Sequence, residues 1–318
     1  MKGKYEIIVK NARLQYKFIL ERNITILRGD SATGKTTLID MIASFQRGGK
    51  DSGVTIQSEK PCVVLTAFNW QINLSQIRDS FVFIDEGDSF VKSTEFAATI
   101  KETDNYYVIA TRASLFNLPY STKEIYGIKN KSGNRYQGTK RLYSEFYPLC
   151  NTDINTIAKP DVVIVEDSNS GYAFFKSVFE EYSIPCISAQ GKNNIYRELI
   201  AHKENTVLVI ADGAAFGPEI ERIVTLTKAM NVIVYLPESF EWIILKSGLI
   251  EGVAHVLEDP ASHIESREHF SWERFFTSLL IENTQDAYLR YRKSDLNPVY
   301  LQDHEKSSII HILPDFDF

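Results

Sequence analysis

The sequence predicts an α/β protein built from two parallel-sheet units and a helical C-terminal extension. Three observations predict it. Apolar runs of strand length, among them Ile24 to Leu27, Phe81 to Ile84 and Tyr106 to Ala110, alternate with helix-length stretches, the rhythm of a parallel sheet with crossover helices. The same rhythm begins again at Val162, after a polar, proline-bearing stretch around Asn151 to Pro160 that would end any helix. Between the first apolar run and a helix-like run from Thr37 to Phe45 stands Gly29-Asp30-Ser31-Ala32-Thr33-Gly34-Lys35-Thr36, a complete G-x-x-x-x-G-K-S/T match. The expected domains are residues 1–155, 156–255 and 256–318.

At 318 residues and 44% hydrophobic content the chain can bury a sizeable core, and its length suits about two domains. A net charge of −6 argues against a protein coated in phosphate-binding charge, so any nucleic-acid contact must be confined to a patch. Cys62, Cys150 and Cys186 lie far apart without a C-x-x-C pair, which reads as buried, reduced thiols rather than a disulfide framework. No stretch approaches the roughly 18 apolar residues of a membrane span. The expectation is an unprocessed cytoplasmic protein with no membrane partner.

In order along the chain, Tyr5 to Val9 and Leu14 to Leu20 read as a hairpin feeding the strand before the glycine loop. That loop, Gly29, Asp30, Ser31, Ala32, Thr33, Gly34, Lys35 and Thr36 with Thr37 following, is a phosphate-binding loop: its glycines turn backbone N–H groups inward, Lys35 reaches phosphate oxygens, and the Thr36 hydroxyl can ligate Mg²⁺. Strands are expected at Val54 to Gln57 and Cys62 to Thr66, and a helix around Gln71 to Asp79. Phe81 to Ile84 then ends in Asp85-Glu86. A buried parallel strand delivers carboxylates at its C-terminal edge, so Asp85 would hold Mg²⁺ and Glu86 would polarise the attacking water. The other reading of that pair is a strand ending in a solvated turn. A helix from Asp88 to Thr103 and a strand from Tyr106 to Ala110 follow, ending in Thr111-Arg112.

These features together resemble ABC-type and related AAA-like P-loop ATPases, with Phe81 to Glu86 looking like a Walker B strand. The resemblance implies ATP with Mg²⁺, hydrolysis, and Thr111 or Arg112 sensing the γ-phosphate; Arg112 is the candidate carried forward, against a role in packing or solubility alone. The L-S-G-G-Q-like segment of ABC ATPases is missing, Leu74-Ser75-Gln76 being the nearest approach. Asn130-Lys131-Ser132-Gly133 lacks the aspartate that would read guanine, which leaves adenine by default.

Lys123 to Lys129 and Arg135 to Phe146 read as a hairpin carrying Lys123, Lys129, Lys131, Arg135, Lys140 and Arg141 among Tyr126, Tyr136 and Tyr143. Two readings stand: a grip on DNA or RNA, with tyrosines for stacking, or an edge hairpin whose lysines keep it from aggregating.

In the second half, Val162 to Val165, Pro185 to Ser188, Thr206 to Ala211 and Val232 to Leu236 are strand candidates separated by helices Tyr172 to Tyr182, Asn194 to His202 and Pro218 to Met230. This order implies a Rossmann-like parallel sheet with acids at its carboxyl edge. Glu166 ends the first strand, Asp212 ends the third, and Glu241 precedes an apolar helix. The layout resembles Toprim domains, and an ATPase followed by a Toprim domain resembles the overcoming-lysogenisation-defect nucleases. That resemblance implies Mg²⁺ or Mn²⁺ held by Glu166, Asp212 and Glu241, with Glu166 catalytic. Ala214 replaces the second aspartate of the Toprim Asp-x-Asp, and Glu219 or Glu238 would have to compensate. Without the resemblance, Glu166 and Asp212 read as acids capping the following helices, and Lys192 meets either a phosphate or solvent.

The extension carries helix candidates Trp272 to Glu282 and Asp286 to Lys293, then Pro298-Val299-Tyr300 and an acidic tail, Asp315 to Phe318. Arg290-Tyr291-Arg292-Lys293 is a small basic aromatic cluster that reads more readily as a helix C-terminus matched to its dipole than as a nucleic-acid contact. The leading expectation is a Mg²⁺-dependent ATPase coupled to a Toprim-like domain, acting on nucleic acid or in defence against foreign DNA. The alternative is a nucleotide-gated switch whose second half is non-catalytic and binds a protein partner, a second copy or a nucleic-acid end. A small-metabolite kinase is the third.

Overall fold

The computed structural model describes residues 1–30, 33–131, 142–150 and 154–318. Ser31 and Ala32 of the glycine loop, and Arg135, Tyr136, Lys140 and Arg141 of the basic hairpin, lie outside the described residues. The protein is α/β and divides into two units, one of residues 1–151 with 260–270, the other of 152–259 with 271–318.

The first unit contains β1 (Tyr5–Lys10), β2 (Leu14–Leu20), β3 (Ile24–Leu27), α1 (Lys35–Gly48), β4 (Thr55–Gln57), β5 (Cys62–Val64), α2 (Trp70–Gln76), β6 (Phe81–Ile84), α3 (Thr94–Lys101), β7 (Tyr106–Ala110), β8 (Ile125–Lys131) and β9 (Leu142–Pro148). Its strands form a nine-stranded sheet in the order β4-β1-β2-β9-β8-β3-β7-β6-β5. From β8 to β5 neighbouring strands are parallel, and β1 pairs antiparallel with both β2 and β4. The sequence explains the difference. Strands β3, β6 and β7 are buried along their whole length, as uninterrupted apolar runs covered on both faces should be. Strand β1 alternates buried Tyr5, Ile7 and Val9 with more exposed neighbours, so one of its faces is wet. Leu38, Ile39, Met41 and Ile42 of α1 join Ile7, Phe18, Phe83 and Val108 in one core cluster. Removing such a side chain, as in Leu38→Ala, costs about 2 to 5 kcal/mol.

Several expectations are corrected. The basic hairpin is not at an edge: β8 pairs with β3 and β9 with β2, so both strands lie inside the sheet. Their lysines therefore do not guard an open strand. Lys129 and Lys131 both pair with Glu145, and Lys123 sits in the turn before β8. The expected helix from Asp88 to Thr103 is a short 3₁₀ turn, Ser89–Lys92, followed by α3. Extended backbone at Ser93 separates them, and its hydroxyl accepts from Phe96 N to cap the new helix.

The second unit contains β10 (Thr156–Ala158), β11 (Val162–Val165), α4 (Ser170–Glu180), β12 (Cys186–Ser188), α5 (Lys192–Ala201), β13 (Val207–Ile210), α6 (Gly217–Leu226), β14 (Val232–Tyr235), α7 (Phe240–Lys246), α8 (Ala254–Glu258), α9 (Trp272–Thr284), α10 (Asp303–Ile310) and β15 (Asp315–Asp317). Strands β12-β11-β13-β14 form a four-stranded parallel sheet with fully buried β11 and β13 at its centre. The expected acidic tail is strand β15, paired parallel with β10.

Residues 256–318 are shared between the units rather than forming a separate extension. The reason is visible in the main chain: Gly3 N donates to Ala261 O, Ser266 N to Met1 O, and Asn23 Nδ2 to the carbonyls of Ser266 and Phe270. Nor is Asp286 to Lys293 a helix. Thr284 Oγ1 accepts from Tyr291 N and turns the chain.

Candidate functional site

Because β3, β7 and β6 run parallel and are paired in register, their carboxyl ends bring three sequence-distant segments to one edge. These are the Gly29–Thr36 loop, Asp85-Glu86 and Thr111-Arg112. Gly29 and Gly34 have φ of 125° and 98°, which favours glycine, and Gly34 is the N-cap of α1. Lys35, the first residue of α1, is only 5% exposed. Its Nζ donates to Gly29 O at 2.6 Å, Asp30 O at 3.0 Å and Thr33 Oγ1 at 3.3 Å. Among the described residues it has no carboxylate partner, and the first turn of α1 has no acid. A buried ammonium at the positive end of a helix is electrostatically unfavourable unless an anion belongs there.

Beside it, Thr36 Oγ1 donates to Asp85 Oδ1 at 3.4 Å, so the two oxygens proposed for a cation are neighbours. Asp85 Oδ1 also accepts from Glu86 N at 2.8 Å. Glu86 is held by Arg112, whose Nε lies 2.6 Å from Glu86 Oε1. Thr111 is buried and its hydroxyl accepts from Ala113 N, which leaves Arg112 as the reaching side chain. Asp30, Thr36 and Thr37 are exposed. Asp88, overlooked in the sequence, accepts from Ala67 N at 2.8 Å and ties the β5–α2 connection to this edge. Burial, then the nearby Asp85 charge, raises its pKa.

The second unit gathers a different cluster. Glu166 follows β11, and its Oε2 accepts from Asp212 N at 3.1 Å. Asp212 Oδ1 accepts from Phe240 N, the first residue of α7, at 3.2 Å. Neither acid caps the helix that follows it in sequence. At α4 that work falls to Asp167, which accepts from the N–H groups of Ser168, Asn169 and Gly171. Glu241, 2% exposed, accepts from Tyr291 Oη at 3.0 Å and lies 3.8 Å from Lys293 Nζ. Lys293 donates to Glu273 at 2.6 Å.

Burial pushes the Glu166 carboxyl up to about 7, with Glu273 adding to the rise, while Asp212 N, Lys192 and Lys293 oppose it. Asp212 is raised well above the carboxylate range by burial, then by Glu273, Glu166 and Glu241. For Lys293, burial disfavours the ammonium, but Glu241, Glu273 and Asp212 overcome it and hold the pKa above the ordinary lysine value. Among the described residues no group of three or more His, Cys, Asp or Glu side chains could hold a metal ion. The expected ligands Glu166, Asp212 and Glu241 are occupied by backbone N–H groups, a tyrosine and a lysine.

Ala214 is 3% exposed, so a buried methyl stands where the Toprim resemblance would call for a second aspartate. Glu219 is 2% exposed; its Oε1 has no hydrogen-bond partner among the described residues, and its Oε2 is 3.8 Å from Arg222. Lys192 donates to Ala215 O at 2.8 Å. Sequence reasoning missed Glu273, Tyr291 and Lys293 as partners of this cluster. The basic aromatic run at 290–293 was visible, but its side chains' destination depended on the turn at Thr284.

No helix among the described residues is long and apolar enough to cross a membrane. No protein-family model matches the chain, and no curated protein is significantly similar to it.

Proposed function

We propose that the first unit binds ATP with Mg²⁺ and hydrolyses it, and that the second unit is a non-catalytic module through which the nucleotide state is passed to a partner protein or nucleic acid. The observation that carries the first half is Lys35: a buried ammonium at a helix N-terminus, held by its own loop's carbonyls and, among the described residues, without a carboxylate. Triphosphate oxygens suit that position, and Thr36 with Asp85 offers hard oxygen ligands for the cation. Bound there, Mg·ATP would supply the γ-phosphoryl electrophile. Lys35 donates to phosphate oxygens, Glu86 accepts a proton from the attacking water, and Arg112 orients Glu86 until it turns toward developing charge.

Lys293 favours the non-catalytic reading of the second unit over a nuclease. It supplies, from the chain itself, the positive charge that the acids would otherwise draw from a metal.

Titrating Mg·ATP onto wild type and Lys35→Ala tests the nucleotide site, and unchanged affinity in the variant overturns it. Glu86→Gln should keep binding and lose about 10²-fold or more in hydrolysis. Incubation with DNA and RNA in Mn²⁺ tests the second unit: cleavage that disappears in Glu166→Gln would overturn the non-catalytic reading.

A further inference from the structure

We infer that Tyr16 is a positioning residue for the phosphate loop, its hydroxyl fixing the peptide that presents the Lys35 N–H. This rests on the reading of Gly29–Thr36 as a phosphate site. Tyr16 lies in β2, 2% exposed, and its hydroxyl donates to Gly34 O at 3.1 Å across 18 residues of sequence. The same carbonyl accepts the first bond of α1, from Leu38 N at 3.0 Å. Both acceptor lobes of that oxygen are therefore used.

A planar trans peptide holds its C=O and N–H in opposite directions. Pinning the Gly34 carbonyl toward Leu38 and Tyr16 thus aims the Lys35 N–H the other way, out of the helix N-terminus and into the loop. That N–H is one of the unpaired donors from which an anion site is made. Gly34 completes the fit in two ways. Its φ of 98° favours glycine, and a Cβ there would meet Tyr16 Oη at 2.8 Å. Burial raises the Tyr16 pKa, so the phenol stays protonated and able to donate. Its approach joins the mixed part of the sheet to the nucleotide edge, giving β2 a role beyond packing.

Replacing Tyr16 with Phe removes one hydrogen bond and keeps the ring in the core. Phe18→Leu alters the same buried face of β2, where Phe18 packs on Phe83 and Phe146, without touching a donor to the loop. Wild type, Lys35→Ala, Tyr16→Phe and Phe18→Leu are to be compared for Mg·ATP and Mg·ADP affinity, for steady-state hydrolysis and for melting temperature without nucleotide. Tyr16→Phe should bind both nucleotides about three- to tenfold more weakly, as loss of one such bond predicts. It should raise KM for ATP by a similar factor, with kcat changed by less than about twofold. Phe18→Leu should melt earlier yet bind as wild type does. Wild-type affinity in Tyr16→Phe overturns the inference, as does an equal affinity loss in Phe18→Leu, which would make the effect structural. If wild type and Lys35→Ala bind alike, the site reading itself fails, and that result is separate from either.

Discussion

Glu166→Gln should stabilise the second unit above neutral pH and flatten its pH dependence. The Glu166 carboxyl has an ordinary value of 4.5 and is pushed up to about 7 in the folded chain, chiefly by burial. The folded state therefore binds its proton more tightly than the unfolded state does. That stabilisation is fully present below 4.5 and is lost as pH rises through about 7. Across that window each pH unit is worth about 1.4 kcal/mol, so the total is about 3.4 kcal/mol, and about 2 to 3 kcal/mol is expected after the cluster relaxes. Glutamine keeps an acceptor for Asp212 N and has no charge to desolvate. Trp242 and Trp272 lie in the second unit and Trp70 in the first, so a Trp70→Phe background lets fluorescence follow the second unit alone. Urea unfolding at pH 5 and pH 8 should show a fall in stability with pH for the parent. In Glu166→Gln that fall should shrink to the share belonging to Asp212. A variant with the parent's slope, or one less stable than the parent at pH 8, would refute the account.

Other outcomes follow from single contacts. Lys293→Met leaves Glu241 and Glu273 without their shared ammonium; the lysine side chain is 40% exposed, so solvent screens part of the loss. The second unit should lose about 1 to 2 kcal/mol at pH 8 in the same fluorescence assay. Gly213→Ala would place a Cβ 2.6 Å from Leu236 O and 2.9 Å from Pro237 O, both main chain. It should destabilise the second unit by about 2 to 3 kcal/mol in urea, and a neutral result would mean that the β13–β14 ends can separate. Burial pushes the thiols of Cys62 and Cys186 up to about 11 and about 12. At pH 8 both should react with maleimide at under about a hundredth of the rate of an ordinary cysteine, with labelling followed by mass spectrometry.

The sheets were legible wherever burial makes a sequence monotonous. Strands β3, β6, β7, β11 and β13 are uninterrupted apolar runs because both their faces are covered, and the helices between them follow from length and periodicity. Segments whose state depends on a distant partner were misread. The tail from Asp315 is a strand because β10 is there to pair with it, and the β8–β9 hairpin is interior because β2 and β3 flank it. Neither partnership leaves a local mark.

The candidate sites divide the same way. The sequence by itself determined the α/β class, the glycine-lysine loop, and the acids at the ends of β6, β11 and β13, because these rest on local backbone and on residue type at fixed spacing. Tertiary structure alone decided what those groups face: Tyr16 on Gly34, Arg112 on Glu86, and Lys293 with Tyr291 on the acids of the second unit. A side chain's charge is written in its residue, but the partner that neutralises, orients or desolvates it is chosen by the path of a chain many residues away.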